Sequence, residues 1–197
     1  MNENYEHPAM PKGVEEGIIK GMYRFSQSKM KDANAKAQLF GSGAILPEVI
    51  KAQGLLEKYG VAADVWSVTS YKELYKDGIN TERWNMLHPT EKAKVPYLTQ
   101  QLEKTEGVLV TASDYIKSLG LQVAKWFPRP VHVLGTDGFG RSESRDRLRD
   151  FFEVDARYVA LAALTELAKE KKVKAETVQQ AIKDFGIDPE KKNPLIS

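Results

Sequence analysis

Residues 37–69 read AQLFGSGAILPEVIKAQGLLEKYGVAADVWSVT, and the order of patterns within them decides the fold. A short apolar run at 37–40 ends in Gly41-Ser42-Gly43, a tight turn that lets a helix begin. The helix is expected from about Leu46 to Tyr59. Pro47 suits its first turn, where a missing N–H costs nothing, and Gly60 suits the left-handed position past its end. Residues 61–69 follow as another apolar strand. Short apolar runs alternating with amphipathic helical patterns are the signature of a parallel sheet covered by helices.

The same alternation continues outward. Residues 13–25 are expected to form a short helix running into a strand near 22–25, and the polar stretch 26–36 a surface loop. Residues 71–87 are mixed: Tyr71, Leu74 and Tyr75 have helical spacing, but Gly78 and the run before Pro89 interrupt it. A helix over 96–102 and an apolar strand over 107–110 come next. Tyr115, Leu119, Val123 and Trp126 share one face of an amphipathic helix expected over 114–126. The last strand is 131–134. Further on, Asp155 is placed to cap a helix with an apolar stripe at Tyr158, Leu161, Leu164 and Ala168. A final helix carries Val178, Ala181, Ile182 and Phe185 and closes at Gly186. No internal repeat interrupts the 197 residues, and one domain over 1–197 is expected.

Composition narrows the function classes. With 29 basic and 27 acidic residues the net charge is +2. That balance gives no electrostatic case for nucleic acid, which needs a concentrated basic face. There is no cysteine, so disulfides, thiolate metal sites and cysteine nucleophiles are excluded. Residues 1–11 are polar and do not read as a signal peptide, and no run approaches the roughly 18 apolar residues of a membrane helix. A cytoplasmic protein with no membrane partner is expected.

Chemistry-bearing residues are sparse. Histidine occurs at His7, His88 and His132, none with a second histidine three or four residues away, so a helix-borne metal pair is unavailable. His132 lies within a short strand and reads as a packed structural histidine. His88 sits in ERWNMLHP (82–89), taken as a loop that also holds Trp84 and Met86; it reads as a loop anchor, with a catalytic role as the alternative. The most suggestive stretch is LGTDGFGRSESR (134–145), after the last strand, at the carboxyl edge where open α/β sheets place their ligands. Gly135, Gly138 and Gly140 permit close backbone approach. Ser142 or Ser144 could cap the next helix, and Arg141 and Arg145 add positive charge at its start, so an anion could bind there. The same glycines and cap also serve any tight strand-to-helix turn, and neither dinucleotide nor phosphate-loop spacing is present.

At this stretch a family resemblance becomes specific. VLGTDGFGRSESRDRLRDFFEVDARYVALAAL (133–164) resembles the last domain of the homodimeric, bacterial-type pyruvate dehydrogenase E1 family, and a glycine loop followed by a capped helix is shared by the wider transketolase-like family. Residues 1–11, LFGSGAIL (39–46), VWSVTSYKEL (65–74) and ERWNMLHP resemble it in the same order, so the likeness covers nearly the whole chain. It is loose at 26–36 and after Lys169.

The resemblance implies an α/β fold, a three-layer α/β/α domain with a five-stranded, mostly parallel sheet. Residues 1–12 would then lead in from a preceding domain, and Met1 would be an internal methionine of a longer parent. Members of the family decarboxylate pyruvate on thiamine diphosphate and Mg²⁺ and acetylate the lipoyl group of the E2 acyltransferase. Their diphosphate–metal motif, G-D-G followed by N-N, and their activating glutamate lie in other domains. This chain has neither motif, so it is expected to bind no cofactor, to hold no catalytic residue and to be inactive alone. Its implied role is structural, assembling the parent's other domains and dimer mate. Interface candidates are Tyr5, Met10, Trp84, Met86 and His88. The alternatives are a free-standing small-anion-binding domain using residues 135–145 and a docking module for the acyltransferase.

Overall fold

The computed structural model describes residues 7–197. Helix α1 (Glu15–Lys20) leads into strand β1 (Met22–Ser26), followed by β2 (Ala35–Ser42), α2 (Leu46–Glu57) and β3 (Val61–Val68). Then come α3 (Tyr71–Leu87), α4 (Tyr97–Leu102), β4 (Val108–Ala112), α5 (Lys117–Leu121) and β5 (Val131–Leu134). Helices α6 (Arg145–Phe151), α7 (Ala156–Lys169) and α8 (Ala175–Asp184) complete the order. The strands form one five-stranded sheet, β1-β3-β2-β4-β5, parallel except for the antiparallel edge strand β1.

Two apolar layers flank this sheet. Alternate residues of the central strands point to opposite faces, so Leu39 and Val65 join one cluster while Phe40 and Trp66 join the other. The first cluster packs under α2 and α7, with Val49, Leu56, Val159 and Leu164 fully buried; the second packs under α3 and α4, with Leu74, Leu98 and Leu102. Both faces being covered explains why β4 (VLVTA) is buried along its length. The fold is the three-layer α/β/α arrangement with a mostly parallel sheet.

Three segments differ from the sequence reading. Strand β2 starts at Ala35, taking two residues from the expected loop, and runs through Gly41 to Ser42. Gly41 is needed for proximity: a Cβ there would lie 2.8 Å from the Cα of Leu46, so α2 could not cross the strand end. Helix α3 is continuous for 17 residues. The Ser70 hydroxyl accepts from the Glu73 N–H at its start, and Gly78 does not interrupt it because the Trp126 indole occupies the space a side chain would fill. Conversely, the helix expected over 114–126 shrinks to α5 and a 3-10 turn at Ala124–Trp126. The Thr136 N–H bonds the Tyr115 carbonyl and the Lys117 N–H bonds the Asp137 carboxylate, so the backbone of the expected first turn is tied to the loop after β5.

Among the described residues no buried side-chain nitrogen or oxygen lacks a hydrogen-bond partner. The Trp66 indole N–H donates to Gln38 Oε1 at 2.7 Å, and Gln38 Nε2 donates to the Glu106 carbonyl at 3.2 Å. Tyr71 and Thr111 share a hydroxyl–hydroxyl hydrogen bond between α3 and β4. Burial pushes the Tyr71 phenol up to about 12, against the lowering effect of that bond. A phenol raised in the folded state supports stability that is complete below pH 10 and is lost as pH rises toward 12. Tyr71→Phe is therefore expected to cost about 1–2 kcal/mol at pH 7, by stranding the Thr111 hydroxyl. The loss should shrink at pH 11; urea unfolding at both pH values checks it, and an equal loss at both would contradict the assignment.

Candidate functional site

The carboxyl edge of the sheet opens into a cleft of about 640 Å³ between the start of α2 and the β5–α6 loop. Ile45, Leu148, Phe152 and Val154 give it apolar walls, while Asp114, Arg141, Glu143, Arg145 and Arg149 bring charge. The glycine loop is held in place from both sides. The Thr136 hydroxyl donates to the Asp114 carbonyl at 2.8 Å, and a Cβ on Gly135 would lie 2.6 Å from the Tyr115 carbonyl oxygen. Gly138 has φ +113°, and a Cβ there would lie 2.1 Å from the Pro194 carbonyl oxygen. Gly138 thus makes room for the C-terminal segment. Gly140 has open space around it.

The candidate anion-binding residues do meet here, since Gly138, Gly140, Arg141, Ser142 and Arg145 all line the cleft. Their partners come from the protein itself. Arg141 donates to the Ser197 main-chain oxygen at 2.8 Å, and its guanidinium lies 5.0 Å from the centre of the Phe151 ring. Glu143 Oε1 accepts from the Ser144 N–H at 2.7 Å, which sets a carboxylate at the start of α6. Ser144 occupies the N-cap position of α6, but its hydroxyl makes no cap bond, in contrast to the cap expected there. Local geometry thus supports the loop's structural role more directly than its anion-binding one. No histidine lines the cleft.

Deeper in, Arg149 carries an ion pair that the sequence reading missed. Its guanidinium lies 3.0 Å from Glu48 Oε1 and donates to the Ala44 carbonyl at 2.9 Å. Glu48, 5% exposed, also accepts from Lys51 at 2.9 Å and from the Ala156 N–H at 3.2 Å. One carboxylate therefore ties α2, α6 and the start of α7. The partners lie 101 and 108 residues away in sequence, beyond the reach of any local signal.

His132 behaves as a structural residue. Its Nδ1 is 2.8 Å from Glu166 Oε1, joining edge strand β5 to α7. Burial would raise the Glu166 carboxyl, but hydrogen bonds from Lys169 and His132 outweigh it and hold the group below its usual value.

The interface candidates fall elsewhere. ERWNMLHP is the end of α3 and its cap, and not the loop expected from sequence. Trp84 is half-buried by local contacts: it stacks on His88 at 4.4 Å, and the Lys94 ammonium sits 3.9 Å from its ring centre. Met86 is 71% exposed, and Met10 and His88 are exposed as well. Tyr5 lies outside the described residues. Ile79, unremarked in the sequence reading, is also exposed and shares the outer α3 stripe with Tyr75 and Met86; their spacing of four and seven residues was the available signal.

Comparison with known proteins places this geometry. The family model described as the transketolase-like TK C-terminal domain matches residues 21–155. A curated pyruvate dehydrogenase E1 component from Pseudomonas aeruginosa is 52% identical over 99% of this chain, and that from Escherichia coli K12 is 49% identical over all of it. A third, from Cupriavidus necator, is 46% identical over 99%. The chain spans about 22% of the length of each of these relatives. Among solved structures, a split-gene transketolase (inactive β4 tetramer) superposes with a TM-score of 0.55 at 20% identity, covering 76% of this chain and 43% of that one. A Campylobacter jejuni transketolase gives 0.51 at 17% identity, covering 81% and 20%. At these identities the likeness is one of fold.

Proposed function

The chain belongs to the family of transketolase-like C-terminal domains, and from that premise we propose that it is the structural and assembly domain of a pyruvate dehydrogenase E1 component. The observation that carries this reading is identity of 46–52% to three such proteins across 99% or more of the chain. In the full-length parent the activity is thiamine-diphosphate- and Mg²⁺-dependent decarboxylation of pyruvate, with transfer of the acetyl group to the lipoyl group of the E2 acyltransferase, in the cytoplasm. The partners of this domain are the parent's other domains and its dimer mate. Two features support a supporting role. The chain carries neither the G-D-G nor the N-N with which the resembling family holds the diphosphate and Mg²⁺, so no residue here is assigned to that group. Second, α3 presents an apolar stripe of Tyr75, Ile79 and Met86 that stays 40%, 37% and 71% exposed even with Tyr75 packed edge-on against Trp126, as expected of a surface packed on another domain. Met10 and His88 are exposed candidates for the same kind of contact.

Among the described residues no helix is long and apolar enough to cross a membrane. The cleft beside Arg141 and Arg145 is the place an anion would take under the alternative reading, but Glu143 at the helix start opposes it.

The assignment predicts that the 197-residue chain alone gains no stability from thiamine diphosphate and Mg²⁺. A ligand at 100 times its Kd would add about 2.7 kcal/mol, roughly 5–10 °C in Tm for a protein of this size. In the P. aeruginosa enzyme, exchanging the matching stretch for this chain should preserve pyruvate decarboxylation to within about tenfold, or ~1.4 kcal/mol of barrier. Deleting the stretch should abolish it. A cofactor-induced shift of the isolated chain, or a deletion that keeps normal activity, would overturn the assignment.

A further inference from the structure

At the amino edge of the sheet, opposite the glycine loop, the starts of β2 and β3 border a second cleft of about 420 Å³. Gln38 and Asp64, partners in the β2–β3 register, form its floor. Gln38 is buried and fixed by two hydrogen bonds, from the Trp66 indole and to the Glu106 carbonyl. One wall is the polar loop after β1, where the Ser28 N–H donates to Asp64 Oδ1 at 2.9 Å and the Met30 N–H to the Ser28 hydroxyl at 3.3 Å. The other is the turn between α4 and β4. There Arg129 donates from Nη1 to the Thr105 carbonyl at 3.1 Å and from Nη2 to the Thr105 hydroxyl at 3.2 Å. The protein's own hydrogen bonds therefore preform both walls, and the recess falls within the roughly 300–1,000 Å³ of small-molecule sites.

The charges around it are unequal. Arg24, Lys31, Lys36 and Lys104 face two carboxylates, Asp64 and Glu106. Both carboxylates are already compensated: Asp64 lies 3.9 Å from the Arg24 guanidinium and Glu106 lies 2.7 Å from the Lys36 ammonium. The Lys36 hydrogen bond and charge, with smaller contributions from Arg129 and Lys172, hold the Glu106 carboxyl below its usual value, as a positive field at this edge requires. Lys31 and Lys104 make no hydrogen bond or ion pair among the described residues, and the Ser28 hydroxyl accepts without donating. The surplus is two positive charges. A phosphomonoester, at about −1.5 to −2 near pH 7, matches it, whereas a carboxylate would leave one lysine unmatched. Lysine ammonium groups serve phosphate as point charges, without the planar fork that suits a carboxylate.

We propose that the amino-edge cleft binds the phosphoryl group of a small phosphomonoester between Lys31 and Lys104, with the Ser28 hydroxyl as a further donor. One wall comes from the segment in which the likeness to the E1 family is loose, so this site stands apart from the E1 assignment and either can fail alone. Amide NMR of the 197-residue chain, titrated with glycerol phosphate and separately with inorganic phosphate, tests it. Both should shift the amides of Ser28, Met30, Lys31, Lys104 and Glu106, while sodium chloride at matched ionic strength should not. The ester should bind the more tightly, because the cleft has room for more than a phosphoryl group. Lys31→Gln/Lys104→Gln should raise the Kd by roughly tenfold or more, since two charge-assisted contacts are lost together. Both lysines are exposed, so this double variant should keep the Tm of the parent chain. Arg141→Gln, at the carboxyl edge, should leave the Kd unchanged. Shifts at none of these amides, a preference for inorganic phosphate, a Kd that the double variant does not move, or binding lost with Arg141→Gln would overturn the proposal.

Discussion

Replacing Glu48 by leucine should destabilise the protein by about 3–5 kcal/mol, because it strands a guanidinium that is out of water. The Glu48 and Arg149 side chains are 7% and 12% exposed, so neither can be rehydrated without opening the junction of α2, α6 and α7. Glu48 also accepts the first N–H of α7, one of the donors that a helix leaves unsatisfied at its start. After the substitution the Ala44 carbonyl remains as a partner of Arg149, but as a neutral one. The double variant Glu48→Leu/Arg149→Leu should recover more than half of the loss, since a buried ion pair replaced by apolar side chains of similar volume is often near neutral. A double-mutant cycle by urea unfolding measures the coupling between the two sites. A single variant that loses less than about 1 kcal/mol, as exposed ion pairs do, would show that the pair does not hold the junction.

The second large effect lies at the start of β4. Gly107 has φ +86°, and a Cβ there would lie 1.9 Å from the Lys36 carbonyl oxygen and 2.2 Å from its carbon. These atoms belong to the backbone of β2, the neighbouring strand, and cannot turn aside as a side chain could. Arg129 grips the same turn, donating from Nε to the Gly107 carbonyl and from Nη1 to that of Thr105. Gly107→Ala combines an unfavourable backbone conformation with displacement of a central strand, for an expected loss of about 3–5 kcal/mol. Gly186 provides the comparison: its φ is +62° with nothing within 4 Å of an added Cβ. Gly186→Ala should therefore cost only the conformational part, about 1–2 kcal/mol. At 2–4 °C per kcal/mol, Tm should fall by roughly 6–20 °C for Gly107→Ala and by roughly 2–8 °C for Gly186→Ala. Equal shifts would mean that the contact with Lys36 is relieved by movement of the loop.

Elements whose pattern is local are legible in the residues themselves. The apolar runs at 61–69 and 131–134 do form strands, the first ending one residue early at Val68 and the second lying half-buried at the sheet edge. The helix after Gly43 begins and ends where Pro47 and Gly60 place it, to within two residues. Asp155 caps α7 as its position suggests, accepting from the N–H groups of Arg157 and Tyr158. The wording LGTDGFGRSESR with ERWNMLHP indicates the family without any knowledge of contacts, and the five-stranded, mostly parallel sheet agrees with that indication.

Tertiary structure decided what depends on distant atoms. Gly78 reads as an interruption in isolation, yet α3 runs through it because Trp126, 48 positions on, fills the space beside it. The periodicity over 114–126 is sound, but hydrogen bonds from the β5–α6 loop take up the backbone of its first turn and leave Tyr115 in water. The glycines of 135–140 suggested a ligand loop; at Gly138 the requirement is room for the C-terminal segment, more than 50 residues further along. The Glu48–Arg149 pair is invisible in sequence for the same reason. Spacing records which residues share a face of one element. Which faces meet, and which charges and glycines that meeting requires, is settled only when the layers close on one another.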